Sequence, residues 1–350
     1  MKTRHINPVI QGAALALLAA TLFGLSTPLV QHWGAALGPF TTAALLYAGA
    51  ALVAMATQKQ PAQEARLQRS DLGRLLAMAL LGAAVGPVAL AWGLQRTGGA
   101  SASLLLTLEA VFTAGLAWKL YGETLDRRVV AAMGLLLVGG GVLVLDQRHQ
   151  GEAALLGLAS VALATLAWGL DNTLSRGVAD RDPGQVVAVK AVLGLTATAA
   201  LAWGVSEPVP GWGDVLRLLL VGASGYGLSL RFYLLAQRTF GAARTGSVFA
   251  FAPFVGTLGA FAMGERTITC LLLLGGALML VGVALHLAES HRHEHTHEAL
   301  VHEHAHRHDD GHHDHTHDPM PQGAHSHRHV HIPVTHTHAH VPDLHHAHPH

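Results

Sequence analysis

Gln95-Arg96-Thr97-Gly98-Gly99-Ala100 returns 142 residues later as Gln237-Arg238-Thr239-Phe240-Gly241-Ala242. At the same offset Gly122-Glu123-Thr124 returns as Gly264-Glu265-Arg266. Phe23-Gly24-Leu25 returns as Trp168-Gly169-Leu170, and Pro39 has a counterpart in Pro183. The chain is a doubled unit, and the content of that unit decides the fold. Apolar runs of about 20 residues are long enough to cross the ~30 Å hydrocarbon core as helices. Ten are present: 8–30, 37–57, 72–94, 100–118, 129–146, 153–175, 184–204, 214–236, 243–263 and 268–287. Each unit holds five, an odd number, so the second copy sits upside down relative to the first. The expected fold is an all-α integral membrane protein: ten transmembrane helices as two inverted five-helix repeats, 8–146 and 153–288, followed by a disordered tail, 289–350.

Composition agrees. Of 350 residues, 51% are hydrophobic and 13% charged. The last 62 residues hold 23 of the 27 histidines, nine acidic and three basic side chains. That leaves 32 charged side chains in the first 288 residues, close to 11%, against about 25% for an ordinary soluble domain. The net charge of zero hides about plus six in the apolar part and minus six in the tail. A single cysteine, Cys270, excludes an internal disulfide and a Cys-rich metal site. No basic run points to nucleic acid. The first run follows Lys2 and Arg4 but is too long for a signal-peptide core, so it reads as an uncleaved span.

Lysine and arginine in the connections orient the chain. With the N-terminus inside, the inner segments collect fourteen, among them Lys2, Arg4, Lys59, Arg66, Arg127, Arg128 and Arg181, against four outside: Arg96, Arg148, Arg217 and Arg266. Both termini, and the tail with them, are expected on the cytoplasmic side of the inner membrane.

Inverted repeats are a transporter architecture, with the substrate site near the midplane between the halves. The residues also resemble a family, the EamA branch of the drug/metabolite transporter superfamily. The Phe/Trp-Gly motif in spans one and six, the Gly-Glu pair closing spans four and nine, and the small-residue entry to those spans (Gly99-Ala100-Ser101-Ala102-Ser103; Gly241-Ala242-Ala243) carry the resemblance over residues 8–288. The resemblance implies small-molecule transport, usually export. Two positions depart from it. Glu109 lies where such proteins commonly have a Leu-x-Pro stretch, kept in span nine as Phe251-Ala252-Pro253, and Tyr47 lies near where an arginine is often found.

Charges inside the hydrocarbon mark mechanism, because an unpaired one costs a few kcal/mol (~3) even on lenient insertion scales. Glu109 sits mid-span. Asp171 lies about 7 Å, and Lys190 and Arg231 about 10 Å, below the inner surface at ~1.5 Å rise per residue. These four charges sum to zero. A structural salt bridge with snorkelling of Lys190 and Arg231 is the plain reading; substrate binding or proton coupling is the functional one, with Glu109 foremost because it has no interface to reach. Gly24-Leu25-Ser26-Thr27-Pro28 and Gly169-Leu170-Asp171-Asn172-Thr173 are matched stretches where the helix is expected to loosen, exposing Ser26, Thr27, Asp171 and Asn172 to a cavity lined by Trp168. Close packing with hydroxyls bonded to their own helix is the alternative. The repeated Gly-Glu and Gln-Arg-Thr motifs lie in turns and are assigned to capping.

The tail carries the most specific chemistry. Its blocks contain His291, His293, His295 and His297; His302, His304, His306 and His308; His312, His313, His315 and His317; His325, His327, His329 and His331; and His336, His338 and His340. In an extended chain, alternation puts successive imidazoles on one side, where two or more can close on Zn, Ni, Co or Cu. A solvated, pH-buffering tail is the alternative. No cofactor is required. The expected partners are the lipid bilayer, a small-molecule substrate and transition metal ions, with no nucleic acid; a homodimer stands open beside a monomer.

Three functions fit: a small-metabolite exporter with a metal-binding tail, a divalent-metal (Ni, Co or Zn) exporter fed by the tail, and a non-transporting membrane metal sensor. The inverted repeats argue against the third. No nucleophile–base constellation or phosphate loop suggests an enzyme.

Overall fold

Backbone groups in an apolar slab have no water to bond, so each spanning segment must close its own hydrogen bonds as a helix. The computed structural model describes residues 8–57, 65–121, 125–178, 181–240, 242–287, 291–296, 300–306, 325–331 and 335–340. Ten helical rods follow in order: α1 (Pro8–Gly34), α2 (Pro39–Ala56), α3 (Arg69–Leu94), α4 (Gly99–Leu105 and Leu108–Tyr121), α5 (Arg127–Gln147), α6 (Glu152–Ser175), α7 (Pro183–Gly204), α8 (212–240), α9 (Ala242–Phe249 and Ala252–Ala262) and α10 (Cys270–Leu287). The first nine contain stretches long and apolar enough to cross a membrane; the apolar part of α10, Cys270–His286, is shorter.

The main contacts run between the halves. α5 packs on α10, α2 on α7, α1 on α8 and α9, α3 and α4 on α6, and α4 on α9. Exchanging every helix for the one five places along leaves this set of pairs unchanged. Local irregularities follow the same rule. α3 widens into a π-helical segment at Ala79–Val85, and α8 does so 143 residues on, at Gly222–Leu228. α4 breaks at Leu106-Thr107 and α9 at Ala250-Phe251.

The Phe/Trp-Gly motif now has a packing reason. A Cβ on Gly24 would lie 2.9 Å from Val255 Cβ of α9, and one on Gly169 2.8 Å from Phe112 Cβ of α4. Each glycine admits its long helix against the broken helix of its own contact pair. The expected loosening at these motifs is a correction: α1 runs unbroken through Pro28 and α6 through Thr173. Ser26 Oγ donates to the Phe23 carbonyl at 2.6 Å and Thr173 Oγ1 to Gly169 at 2.7 Å, so hydroxyls bond to their own helix. The irregularity falls instead in α3, α4, α8 and α9.

Helix starts are capped across the halves. Gly264, at φ 107°, ends α9, and the Glu265 N–H closes on the Ala260 carbonyl at 3.1 Å. The Glu265 carboxylate then accepts from Ala100 N–H, at 3.1 Å, where α4 begins after Gly98 with no side-chain cap of its own. The same device recurs without the motif. Ser206, at φ 56°, ends α7, and Glu207 accepts from the N–H groups of Phe40 (3.1 Å) and Thr41 (2.7 Å), where α2 begins after Gly38. A carboxylate on a helix N-terminus also meets the positive end of its dipole. Gly122-Glu123 and the Gln237-Arg238-Thr239 copy have no described side chains. At the opposite end, Arg181 pairs with Asp71 at 2.8 Å and Asp182 N–H donates to Ala65.

Among the described residues of the tail there are four strands: β1 (His291–Thr296), β2 (Leu300–His306), β3 (His325–His331) and β4 (Thr335–His340). β1 pairs antiparallel with β4 and β2 with β3.

Glu207→Ala should lower the unfolding temperature in detergent, by the equivalent of about 1–2 kcal/mol, a lost N-cap. Ser206→Gly should raise it, because only the strained φ changes cost. Calorimetry or a dye-based melt on purified protein checks both signs.

Candidate functional site

Proline decides where the site forms. In the wide turn of α3 the Gly86 N–H bonds to the Leu81 carbonyl, five residues back. The next donor in that ladder would belong to residue 87, which is proline and has none. The Gly82 carbonyl is therefore orphaned in the middle of the apolar slab. Tyr47 Oη of α2 donates to it at 2.6 Å, and Trp168 Nε1 of α6 at 3.0 Å. One backbone oxygen thus fastens α2, α3 and α6 together.

Gly82 also makes room for charge. A Cβ there would fall against the Asp171 carboxylate and lie 2.8 Å from Lys190 Nζ. Lys190 of α7 and Asp171 of α6 form an ion pair through Asp171 Oδ2, with both side chains largely shielded. Asp171 Oδ1 is buried with no hydrogen-bond partner among the described residues. One residue along α6, Asn172 Nδ2 donates to Glu109 Oε1 of α4 at 2.6 Å. Glu109 sits in the first turn after the break of α4, near the positive end of that segment. None of the ion pairs among the described residues involves Glu109.

Aromatic rings cover the other side. Phe23 meets Trp168 edge-on at 6.1 Å, and these are the two equivalent positions of the repeat. Phe23 also meets Tyr226 at 6.1 Å and Phe249 at 5.4 Å, and Tyr226 meets Tyr47 at 5.8 Å. Tyr226 belongs to the wide turn of α8, and among the described residues its buried hydroxyl meets no partner at full hydrogen-bond geometry.

The structure sorts the expected residues. Glu109, Asp171, Asn172, Lys190 and Trp168 converge around Gly82. Arg231 does not join them; its Nη1 donates to the Thr57 carbonyl at the C-terminal end of α2, at 2.9 Å. Ser26 and Thr27 are buried in α1. Sequence reading missed Gly82 and Tyr226, and noted Tyr47 only as a departure from a family pattern. The available signal was Gly86-Pro87 inside an apolar run, which announces an orphaned carbonyl.

Among the tail histidines, His291, His293 and His295 lie on β1, His302, His304 and His306 on β2, His325, His327, His329 and His331 on β3, and His336, His338 and His340 on β4. His297, His308, His312, His313, His315 and His317 lie outside the described residues. Among residues with described side chains, no group of three or more His, Cys, Asp or Glu forms a metal site.

The described structure is thus a polytopic helical body with a partly buried polar cluster where its helices cross. The profile of the EamA-like transporter family matches residues 10–145 and again 155–288. The chain belongs to that family, consistent with the drug/metabolite transporter superfamily, and is a multi-pass membrane protein. It is 26% identical over 293 residues to an uncharacterized transporter of Methanothermobacter thermautotrophicus, covering 77% of this chain and 84% of that one. A crystal structure of a protein 20% identical in sequence superposes with a TM-score of 0.58, over 80% of this chain and 95% of the other. That likeness concerns the fold alone.

Tyr47→Phe and Trp168→Phe each leave Gly82 one donor; the double substitution leaves none. Each single change should cost about 0.6–1 kcal/mol, and the pair more than their sum. Thermal unfolding of the four proteins in one detergent measures the coupling.

Proposed function

We propose that the chain is a ten-span secondary carrier of two inverted halves, with both termini at the cytoplasmic face of the inner membrane, exporting a small organic metabolite. The tail, on this reading, binds transition metal ions and modulates the carrier. The Glu109–Asn172 contact beside the neutralised Asp171–Lys190 pair is the observation that carries it. Asp171 and Lys190 cancel. Glu109 is held by an amide, which accepts either protonation state of a carboxyl group, so Glu109 is suited to exchange a proton or a cationic group of the substrate as the carrier turns over.

An organic cargo is favoured over a divalent metal. Lys190 stands beside the carboxylate a cation would need, and a tethered ammonium opposes a second positive charge in a medium of low dielectric. The aromatic rings of Phe23, Tyr47, Trp168 and Tyr226 also suit an organic body better than a hydrated ion.

Glu109→Gln should preserve folding but abolish the response of substrate flux to an imposed pH gradient in reconstituted vesicles. Flux that follows the gradient as in the parent would assign Glu109 to structure. The vesicles are challenged with a panel of small metabolites and separately with Ni, Co and Zn, which tells organic cargo from metal cargo.

Removing residues 289–350 should leave the helical body folded, since its contacts are made among α1–α10. The truncation should remove most Ni, Co and Zn binding, because 23 of the 27 histidines go with it. Equilibrium dialysis and thermal unfolding on matched full-length and truncated protein check this, and unchanged stoichiometry would refute the tail as the metal site.

A further inference from the structure

The two segments of the broken helix α4 have unlike surroundings. The first, Gly99–Leu105, is buried at every position and packs on α1, α3, α5, α6, α9 and α10. Past the break, Leu108–Tyr121 has its main contacts with α5 and α6 alone. The stretch of α8 beyond its wide turn, Ser229–Phe240, and the first segment of α9, Ala242–Phe249, pack mainly on α1 and on each other. Among the described residues, no main contact joins them to α6 or to the second segment of α4. Asn172 is exposed and Glu109 half-buried at the head of the gap left between them. On the proposed topology this gap faces the cytoplasm and the buried segment of α4 lies at the outer end.

That outer end is tied by polar side chains, several of them from the repeated motifs. Gln31 of α1 donates to the Thr97 carbonyl at 2.9 Å, and Gln95 donates back to the Leu37 carbonyl at 2.7 Å. Thr97 Oγ1 donates to Gln147 of α5 at 3.3 Å, and Gln147 Nε2 to Ser101 of α4 at 3.2 Å. Crossing from half to half, Glu265 accepts from the Ala100 N–H at 3.1 Å, and Thr269, at the start of α10, donates to the buried Asp146 of α5 at 2.6 Å. The packing is close: a Cβ on Gly98 would lie 2.6 Å from Glu265 Oε1. Beneath this network, one helical turn (about 6 Å) along α4 from Gly99, Ser103 Oγ is buried with no hydrogen-bond partner among the described residues. A dry, unpaired hydroxyl is unfavourable, and the penalty lapses if the position is wetted in another state of the molecule.

We propose that this network is the outer gate of the carrier, shut in this structure, and that the gap between α4–α6 and α8–α9 is the open inner mouth through which the Glu109 site is reached. This rests on the reading of the chain as a carrier with cytoplasmic termini and names the residues that close one side of it. Rocking of one half against the other exposes a midplane site to each side in turn. To open outward, α9 and α10 must leave α4 and α5, which breaks Glu265–Ala100 and Thr269–Asp146 and wets Ser103. The bonds of Gln31, Gln95, Thr97 and Gln147 lie within the first half. They survive the opening and hold the outer ends of α1, α3, α4 and α5 together as one jamb of the gate. The two crossing bonds are therefore the latch, and losing either favours the outward state without touching Glu109.

The test reads access from each side and needs no known cargo. Ser103→Cys and Asn172→Cys, each in a Cys270→Ser background, are treated with a membrane-impermeant thiol reagent in right-side-out and inside-out vesicles. Asn172→Cys should react from the inner side, and Ser103→Cys should be protected from both. Adding Glu265→Ala or Thr269→Val should make Ser103→Cys react from the outer side, about tenfold faster for one lost hydrogen bond to a charged group. Glu265→Gln keeps an oxygen for the Ala100 N–H and should restore most of the protection, which a merely misfolded body would not regain. Protection of Ser103→Cys unchanged by both latch substitutions would overturn the gate while leaving the carrier reading, which is judged by flux. Reaction of Asn172→Cys from the outer side alone would overturn the inward-open assignment and the topology together.

Discussion

A backbone carbonyl inside an apolar slab has to find a donor, and the Gly82 carbonyl cannot find one in its own helix. Pro87 removes the N–H that would have met it. Tyr47 and Trp168 supply donors from α2 and α6, and the three helices are thereby fixed around a residue too small to exclude charge. The Asp171–Lys190 pair occupies the space so left, and Asn172 carries the polar cluster across to Glu109. A buried pair of this kind is not a source of stability in itself, since its desolvation is expensive. Its location at a forced irregularity is better understood as the place where the fold permits polarity.

Among the described residues, the second half caps the first. Glu207 and Glu265 both leave the second half to cap first-half helices that follow a glycine, α2 after Gly38 and α4 after Gly98. These contacts cluster at one end of the molecule, while Arg181–Asp71 and the Asp182–Ala65 bond lie at the other. Between them the principal helix contacts cross from half to half. Such an arrangement places the caps and the Arg181–Asp71 pair at the ends, with the polar cluster around Gly82 and its aromatic rings between them.

The tail belongs to a different regime. The helical body is organised by lipid and by its own apolar packing, whereas the strands pair through polar blocks far apart in the sequence.

Much of the fold was legible in the sequence. The apolar run lengths placed the described helices to within a few residues, and the Gly-Glu copy at 264–265 was correctly assigned to capping. Glu109, Asp171 and Lys190 stood out because charge is costly in hydrocarbon wherever it sits. What the one-dimensional pattern could not decide was which charge meets which. Lys190 and Arg231 lie at equal depths, yet the first turns to Asp171 and the second to the Thr57 carbonyl, because depth is a property of sequence and azimuth a property of packing. Gly24 and Gly169 were legible as special but not as close-packing points, since that needs the neighbouring helix. Ser206-Glu207 performs the same task as Gly264-Glu265 without the motif, and the histidine blocks revealed alternation but not opposition. The deciding contacts join different helices, from Lys190 and Asp171, 19 positions apart, to Arg231 and Thr57, 174 apart, and only the tertiary structure sets which helix faces which.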